Sequence, residues 1–465
     1  MNADVVVAGG GMGGLTAAIS AQGAGAQVVL LEKATRVGGS AAVSGGTVWC
    51  AADLEAWLSE QPGGDPALGS ALVDGFHEGI TWLRQHGVTL ELESDPVPYR
   101  FRREVYRMRP DAAASMATLA QRFTAAGGTI LTRTDLREVI LRPNGTAGGA
   151  RAVTLRDAAG TVSAATEVDR DGIVEIAAPS VVLATGGFQA NDELRAKHFG
   201  AWSHRMVVRS NPESTGDSLR AALHAGAATA GPFDRFYGHL VPAPPARVGL
   251  HNYAQIKPTF GQYAVLVNLG GERFYDEFVG DEIVVHSAAL QEEGWVFLIY
   301  DQAILATGWN SGGLPGQRIQ NIRDAGGDVL EAAALPTLAE MMGARWGVHQ
   351  ERLLATLAQY NQAARAGDAS RLPIPKSGGL LPIEHPPVCA IRFAVGITFT
   401  YGGARINPSA QVLDTAGNPI PGLFACGADA GGIYTRGYTG GLCLGLAFGL
   451  IAGRAAAAHA KRTRL

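Results

Sequence analysis

A chain of 465 residues, 47% apolar and 17% charged, is long enough for two domains with substantial cores. A formal charge of −4 leaves no basic footprint for a nucleic-acid partner. The four cysteines, Cys50, Cys389, Cys426 and Cys443, show no C-x-x-C or C-x-x-C-H spacing. That argues against iron–sulfur, structural zinc and covalent haem sites, and for buried free thiols in a reducing compartment.

Val5 to Ala8 is an apolar run that reads as a buried strand, and Gly9, Gly11 and Gly14 supply G-x-G-x-x-G at the turn into an Ala-rich helix. The first glycine permits the tight turn, the second lets a diphosphate approach the backbone, and the third lets helix and strand pack closely. The helix N-terminus offers unpaired amides and a positive dipole end to that diphosphate. A second apolar run, Gln27 to Leu31, ends at Glu32, eighteen residues past Gly14, where an acidic side chain can hold ribose hydroxyls. Gly38, Gly39 and Ser40, then Ser44, Gly45 and Gly46, form a second small-residue loop. A nicotinamide domain has no need of that loop; a flavoprotein does, because its cofactor runs on past the diphosphate. With the first strand starting at Asp4 there is no room for a charged-then-apolar leader, and a cytoplasmic protein is expected.

Leu54 to Gly87 reads as amphipathic helix, broken at Gln61-Pro62-Gly63-Gly64. Residues 89–110 read as irregular, basic and aromatic (Tyr99, Arg100, Arg102, Arg103, Tyr106, Arg107, Arg109), either a solvated edge hairpin or a loop bordering an anionic substrate. A helix over Ala112 to Ala126 precedes strands at 129–133 and 136–142 and a polar meander to about 177. A continuous apolar strand, Val181 to Ala184, runs into Thr185-Gly186-Gly187, where the backbone can again approach a ligand. Glu213 to Gly226 predicts a further helix. From Pro232 to Pro387, which holds 12 of the 23 prolines, the texture changes to mixed strand, loop and helix, with a helix over Leu335 to Ala366 broken at Gly343. The closing residues return to glycine-rich strand and helix, with a hairpin signal at Asp414 to Pro421. Gly440 to Ala460 is apolar enough to resemble a membrane span, but its Gly and Ala content and Arg454 predict a buried core helix instead. The expected division is 1–232 and 385–465 for one α/β domain, with 233–384 inserted as a second.

The order of these motifs resembles a known family. The succession GGGMGG, EK…GGS…SGG, VVLATGGF, TGDS, GERFYDE and IPGLFACGADAGG…GYTGGLCL…IAGR is similar to the fumarate reductase/succinate dehydrogenase flavoproteins over nearly the whole chain. Within that group, GITFTYGG and GYTGG look more like the 3-ketosteroid Δ1-dehydrogenase and tricarballylate dehydrogenase-type branches. The resemblance implies a Rossmann-like FAD-binding domain split around an inserted α+β capping domain, with substrate held between cap and flavin.

Carried over motif by motif, the resemblance assigns Gly9, Gly11 and Gly14 to the diphosphate and Glu32 to the ribose. Lys33, Gly39 and Val139 are counted among the cofactor-binding residues. Ser40, Ser44, Gly45 and Gly46 line the ribityl and flavin region, with Ala184, Thr185, Gly186 and Asp217 nearby. Asp429, following Gly427, stands where the family's acidic residue holds the ribityl chain. Gly441, Leu442, Cys443 and Leu444 open the helix whose N-terminal amides face flavin O2 and N1, where a dipole stabilises the reduced flavin's negative charge.

Relatives with covalent flavin carry a histidine where this chain has Gly39 or Ser40, so FAD is expected to be non-covalent. The acid-donating arginine of the fumarate reductases falls at Asp281, their paired histidines at Thr398 and Phe399, and their second clamp arginine at Tyr438, with Arg436 two residues away. Dicarboxylate reduction is therefore not expected.

The ketosteroid enzymes have at Tyr438 a tyrosine that donates to the substrate ketone. Tyr438 with an amide near Gly441 or Leu442 can polarise a carbonyl while a base removes the α proton and the β hydrogen leaves as hydride. Asp281 is the first candidate for that base if burial raises its pKa, with capping of the helix from Glu282 as its plain alternative; Tyr401 is the second, or a core aromatic. His239 is a substrate contact or a structural histidine, and His251, Tyr253 and Lys257 are weaker candidates. Arg100, Arg103 and Arg436 are candidates for a substrate carboxylate. The expected function is an FAD-dependent dehydrogenase forming a C=C bond α,β to the carbonyl of a small ketone or keto-acid such as 4-oxocyclohexanecarboxylate. Its electrons would pass to an external acceptor: oxygen, quinone or a carrier protein. The alternatives are an enoate reductase, a tricarballylate-type dehydrogenase and a non-catalytic FAD-binding subunit.

Overall fold

The computed structural model describes residues 1–93, 100–155, 172–250, 252–306 and 315–464, so Tyr99 and His251 lie outside the described residues. Its contacts divide the chain into two units: 1–191, 210–235 and 399–465 form the first, 192–209 and 236–398 the second.

The first unit is built on a six-stranded sheet in the order Gln411–Leu413, Pro419–Ala425, Ser180–Leu183, Val5–Ala8, Val28–Leu31, Thr129–Leu131. Val5 pairs in parallel with Ser180 on one side and Val28 on the other. These central strands are buried along their whole length, which is why they read as continuous apolar runs rather than alternating ones. Helix Met12–Gly23 packs against the closing helix Gly441–Arg464 at backbone range. A Cβ at Gly445, Gly449 or Gly453 would fall 3.0, 2.7 or 2.3 Å from the main chain of Gly13 or Ala17. The Gly and Ala that give the closing helix its membrane-like composition are thus its packing ridge, and most of its apolar stretch is buried.

Three three-stranded sheets complete this scaffold, one of them the mixed sheet of Thr229–Ala230, Gly403–Arg405 and Ala430–Gly431, and the other two antiparallel. Thr134–Leu141, Ala147–Thr154 and Ile173–Ala177 form one, and Thr47–Ala51, Arg103–Arg109 and Thr89–Glu93 form the other. Residues 89–93 and 103–109 of this basic stretch are therefore regular strand rather than irregular. Their arginines are paired on it, Arg107 with Glu93 and Arg109 with Glu91, which is how a strand this basic stays folded.

The second unit centres on the long strand Val388–Thr400, paired antiparallel with Trp295–Asp301 from Val388↔Asp301 to Ala394↔Trp295. Val207–Val208 adds to it in parallel at Gly396 and Ile397. This long-range pairing draws 192–209 into the second unit and has no compositional signature. The helical stretch beyond Leu335 is two helices, Leu335–Trp346 and Gln350–Ala366, and the break falls at Gly347 rather than Gly343. Gly347 takes the left-handed conformation at φ +77° that ends the first helix.

Candidate active site

The glycine motif crosses its neighbours without side chains. A Cβ on Gly14 would fall 1.7 Å from the Gly9 oxygen, and one on Gly9 would fall 2.1 Å from the Ala184 oxygen. Gly11 differs, since a Cβ there meets nothing nearer than the Gly38 oxygen at 4.0 Å. The helix from Met12 has neither a side-chain cap at Gly11 nor an acid in its first turn, which leaves its N-terminus suited to an anion. At the end of the next strand, Glu32 accepts from the amides of Gly10 and Ala34, both at 2.8 Å, and burial raises its pKa.

The other predicted cofactor residues fall into three groups. Lys33 donates to Thr215 Oγ1 at 2.8 Å and Asp217 Oδ2 at 3.2 Å, tying the Glu32 strand to the start of helix Asp217–His224. Gly39 and Ser40 open a short helix, Gly39–Ala42, rather than a loop; Ser40 Oγ accepts from the Asn211 amide, and Ser44 Oγ accepts from Gly46, leaving Gly45 between them. Val139 is buried in the sheet of Thr134–Leu141, opposite Ala150.

Asp429 is the deepest of these groups. Its Oδ2 accepts from the Gly186 amide at 2.9 Å and from Thr185 Oγ1 at 3.4 Å, and burial outweighs these bonds to push its pKa up to about 7. A Cβ on Gly13 would lie 3.5 Å from the Gly427 nitrogen and 3.6 Å from Gly445 Cα. Segments 9–14, 184–186, 427–429 and 441–445 therefore converge. Two helix starts and one buried carboxyl with acceptor capacity are a donor and acceptor set that suits the diphosphate and polyol chain of a flavin dinucleotide.

Beside this cradle lies an aromatic cluster in the same unit. Tyr438 is buried, its phenol oxygen accepts the Gly441 N–H at 2.7 Å, and its ring meets Trp49 edge-on at 5.1 Å. Tyr401 packs against Tyr434 at 5.1 Å and Phe399 at 5.9 Å. Leu442, Cys443 and Leu444 form the first turn after Gly441, and burial raises the Cys443 thiol pKa.

The loop leading to Tyr438 is pinned by two residues that sequence reading passed over. Fully buried Gln61 accepts from the Thr435 amide at 2.8 Å and donates to the Gly437 oxygen at 2.8 Å. Buried Glu60 pairs with Arg100 at 2.7 Å and Arg436 at 3.6 Å. Arg103 lies over the Trp49 ring at 4.8 Å. The three arginines considered for a substrate carboxylate are thus engaged within the protein. Gln61 stands next to a Pro-Gly-Gly turn and reads as a break; only its partners 374 residues away reveal it.

In the second unit, His239 and Asp281 meet. His239 Nδ1 lies 2.8 Å from Asp281 Oδ2, and its Nε2 lies 3.0 Å from the Tyr237 hydroxyl. Asp281 does not cap its helix: Gly280 is the N-cap residue, and the Asp281 side chain turns to His239. Burial holds the His239 pKa below its ordinary value, and Lys257 and Arg209 add to that against Asp281. Burial works to raise Asp281, but the His239 interaction, Lys257 and Arg209 hold it below the usual carboxylate range, the reverse of the rise a lone carboxylate base needs. An ionised Asp281 fixes the Nδ1–H tautomer, so Nε2 accepts from Tyr237. Tyr237, unremarked in the sequence, becomes the outer member of a three-residue chain.

These features define a flavin-dinucleotide oxidoreductase built as two units. The chain belongs to the FAD binding domain family, whose profile matches residues 4–442, and it binds FAD. A fumarate reductase (cytochrome) of Shewanella frigidimarina is 27% identical over 99% of this chain and 78% of that protein. The 4-oxocyclohexanecarboxylate 2-dehydrogenase of Sinomonas cyclohexanicum is 28% identical over 98% of this chain and 93% of its own length. The chain spans about half the length of two further relatives. Among solved structures, the 3-ketosteroid-Δ4-(5α)-dehydrogenase of Rhodococcus jostii RHA1 shares the fold with a TM-score of 0.73 at 24% identity, covering 98% of this chain and 97% of that one.

Proposed function

We propose that this FAD-dependent oxidoreductase of CH–CH groups is a dehydrogenase that introduces a C=C bond α,β to the carbonyl of a small ketone or keto-acid. The geometry of Tyr438 carries the reading. Its phenol oxygen accepts the Gly441 N–H at 2.7 Å, which holds the hydroxyl at the start of the closing helix, and a phenol is the kind of donor that polarising a carbonyl needs. Gly441 thus acts through Tyr438 rather than on the substrate directly. Within the second unit, the Tyr237–His239–Asp281 chain is built to take up a proton: as the Tyr237 oxygen accepts one, its own proton moves to His239 Nε2, and Asp281 holds the resulting imidazolium. Bound FAD supplies the acceptor for the hydride.

The similarity to a 4-oxocyclohexanecarboxylate dehydrogenase over nearly its whole length supports a cyclic keto-acid. Non-covalent FAD and an external electron acceptor belong to the same reading. The fumarate reductase relative favours a second one, an enoate reductase. Anaerobic mixing separates the two. A ketone that bleaches the oxidised flavin supports the dehydrogenase; reoxidation of reduced flavin by fumarate, with no ketone bleaching, supports the reductase.

A further inference from the structure

We propose that Arg209 anchors a carboxylate of the substrate, in a site of the second unit formed by Arg209 and Tyr253 beside His239. This rests on the dehydrogenase reading and narrows it from ketones in general to keto-acids.

Among the described residues, Arg209 is a buried cation with no salt bridge. Its side chain is 95% buried, at 5% relative exposure, and among the described residues its Nε and Nη1 have no hydrogen-bond partner. The other buried arginines are provided for: Arg195 pairs with Asp192, and Arg318 donates to the carbonyls of Ala254 and Lys257. A guanidinium stays charged at any pH the protein meets, so an uncompensated one in the interior is costly unless a ligand completes it.

The position of Arg209 is built. Its amide donates to the Ile397 oxygen at 2.8 Å. Its stem lies across Gly396, where any Cβ would fall 2.5 Å from Arg209 Cδ. The guanidinium then stacks on the Tyr253 ring, 3.9 Å from its centroid. Stacking covers the face of the planar group and leaves its N–H edge, whose fork matches a carboxylate with two parallel bonds.

Competing acids are committed. Asp281 Oδ2 is taken by the His239 Nδ1–H, and Glu282 lies on the far side of that imidazole, 4.0 Å from Nε2, and has interactions of its own. Lys257 adds a second positive charge felt by both His239 and Asp281. The arginine therefore belongs to the same charged cluster of the second unit as the Tyr237–His239–Asp281 chain, and a substrate acid group would be held there.

The test uses the full-length FAD-loaded protein with three probes: 4-oxocyclohexanecarboxylate, neutral 4-methylcyclohexanone, and cyclohexanecarboxylate, which has no ketone to oxidise. Calorimetry with cyclohexanecarboxylate is expected to show binding that weakens about 100-fold in Arg209→Met and recovers in part in Arg209→Lys. The ratio of kcat/KM for the keto-acid over the neutral ketone is expected to fall by a similar factor in Arg209→Met. Should the Met variant lose its flavin or its wild-type Tm, the Lys variant carries the comparison.

Equal affinity for cyclohexanecarboxylate in wild type and variant, or no wild-type preference for the acid, would overturn the anchor. If neither ketone bleaches the flavin, the dehydrogenase reading fails. Arg209-dependent binding of cyclohexanecarboxylate would then still uphold the carboxylate site.

Discussion

The Gly441 amide donates to the phenol oxygen of Tyr438 at 2.7 Å, so the first N–H of the closing helix is spent on a side chain and holds that hydroxyl at the helix start. Tyr438→Phe removes the donor and releases the amide. The variant is expected to stay yellow while kcat/KM on its best ketone falls about 100- to 1000-fold, roughly 3–4 kcal/mol of transition-state stabilisation. Steady-state kinetics beside the flavin absorbance check both halves.

Gln61 holds the loop that carries Tyr438 by serving the Thr435 and Arg436 amides and the Gly437 carbonyl together. Gln61→Leu takes this partner from the buried Gly437 carbonyl and from the part-buried Thr435 and Arg436 amides. At about 1–3 kcal/mol for such a group, a stability loss of at least about 2 kcal/mol is expected in urea unfolding. Turnover should fall with it. A variant as stable as wild type would show that the loop is held elsewhere.

Gly14 and Gly11 are glycine for different reasons, and the difference is measurable. Gly14 must be bare because Gly9 lies against it, whereas Gly11 has open space toward the protein. Gly11→Ala is therefore expected to keep the wild-type Tm of the apoprotein while losing FAD, because the added methyl meets only the ligand. Retention of FAD at the wild-type level would remove Gly11 from the diphosphate site.

Much of this site was legible in the chain because it is local. The run from Val5 to Gly14 and the acid at Glu32 depend on spacing alone, and the closing helix is marked by its small residues. What sequence could not give depends on partners far along the chain. Arg209 looks like any strand residue until Gly396 and Tyr253 surround it. Asp281 reads as a carboxylate that burial alone would raise, and only the fold sets His239 against it. The arginines near residue 100 looked available for a ligand, but Glu60 and Trp49 engage them. The helix break at Gly347 went unread because Gly343, four residues earlier, is an equally good breaker by composition.

The His239–Asp281 pair makes the second unit sensitive to acid. Both groups have folded pKa values below their ordinary ones, so each contributes stability that is present above its unfolded pKa and lost as pH falls through the folded value. The His239 contribution starts to fade below about pH 6.5 and that of Asp281 below about pH 4. In Asp281→Asn the carboxylate part of this loss should vanish, and the profile of stability against pH should flatten on its acid side. Chemical denaturation across that range gives the comparison; an unchanged slope would contradict the pairing.

The central claim is that the protein oxidises a carbonyl compound at its own flavin, and anaerobic bleaching tests it most directly. Oxidised holoenzyme mixed without oxygen with 4-oxocyclohexanecarboxylate is predicted to lose its flavin absorbance and release the α,β-unsaturated keto-acid in equal amount. The same mixing with Tyr438→Phe should be slower by about two orders of magnitude or more. Flavin that stays oxidised with the keto-acid and with every ketone tried, yet is reoxidised by fumarate once reduced, would contradict the account.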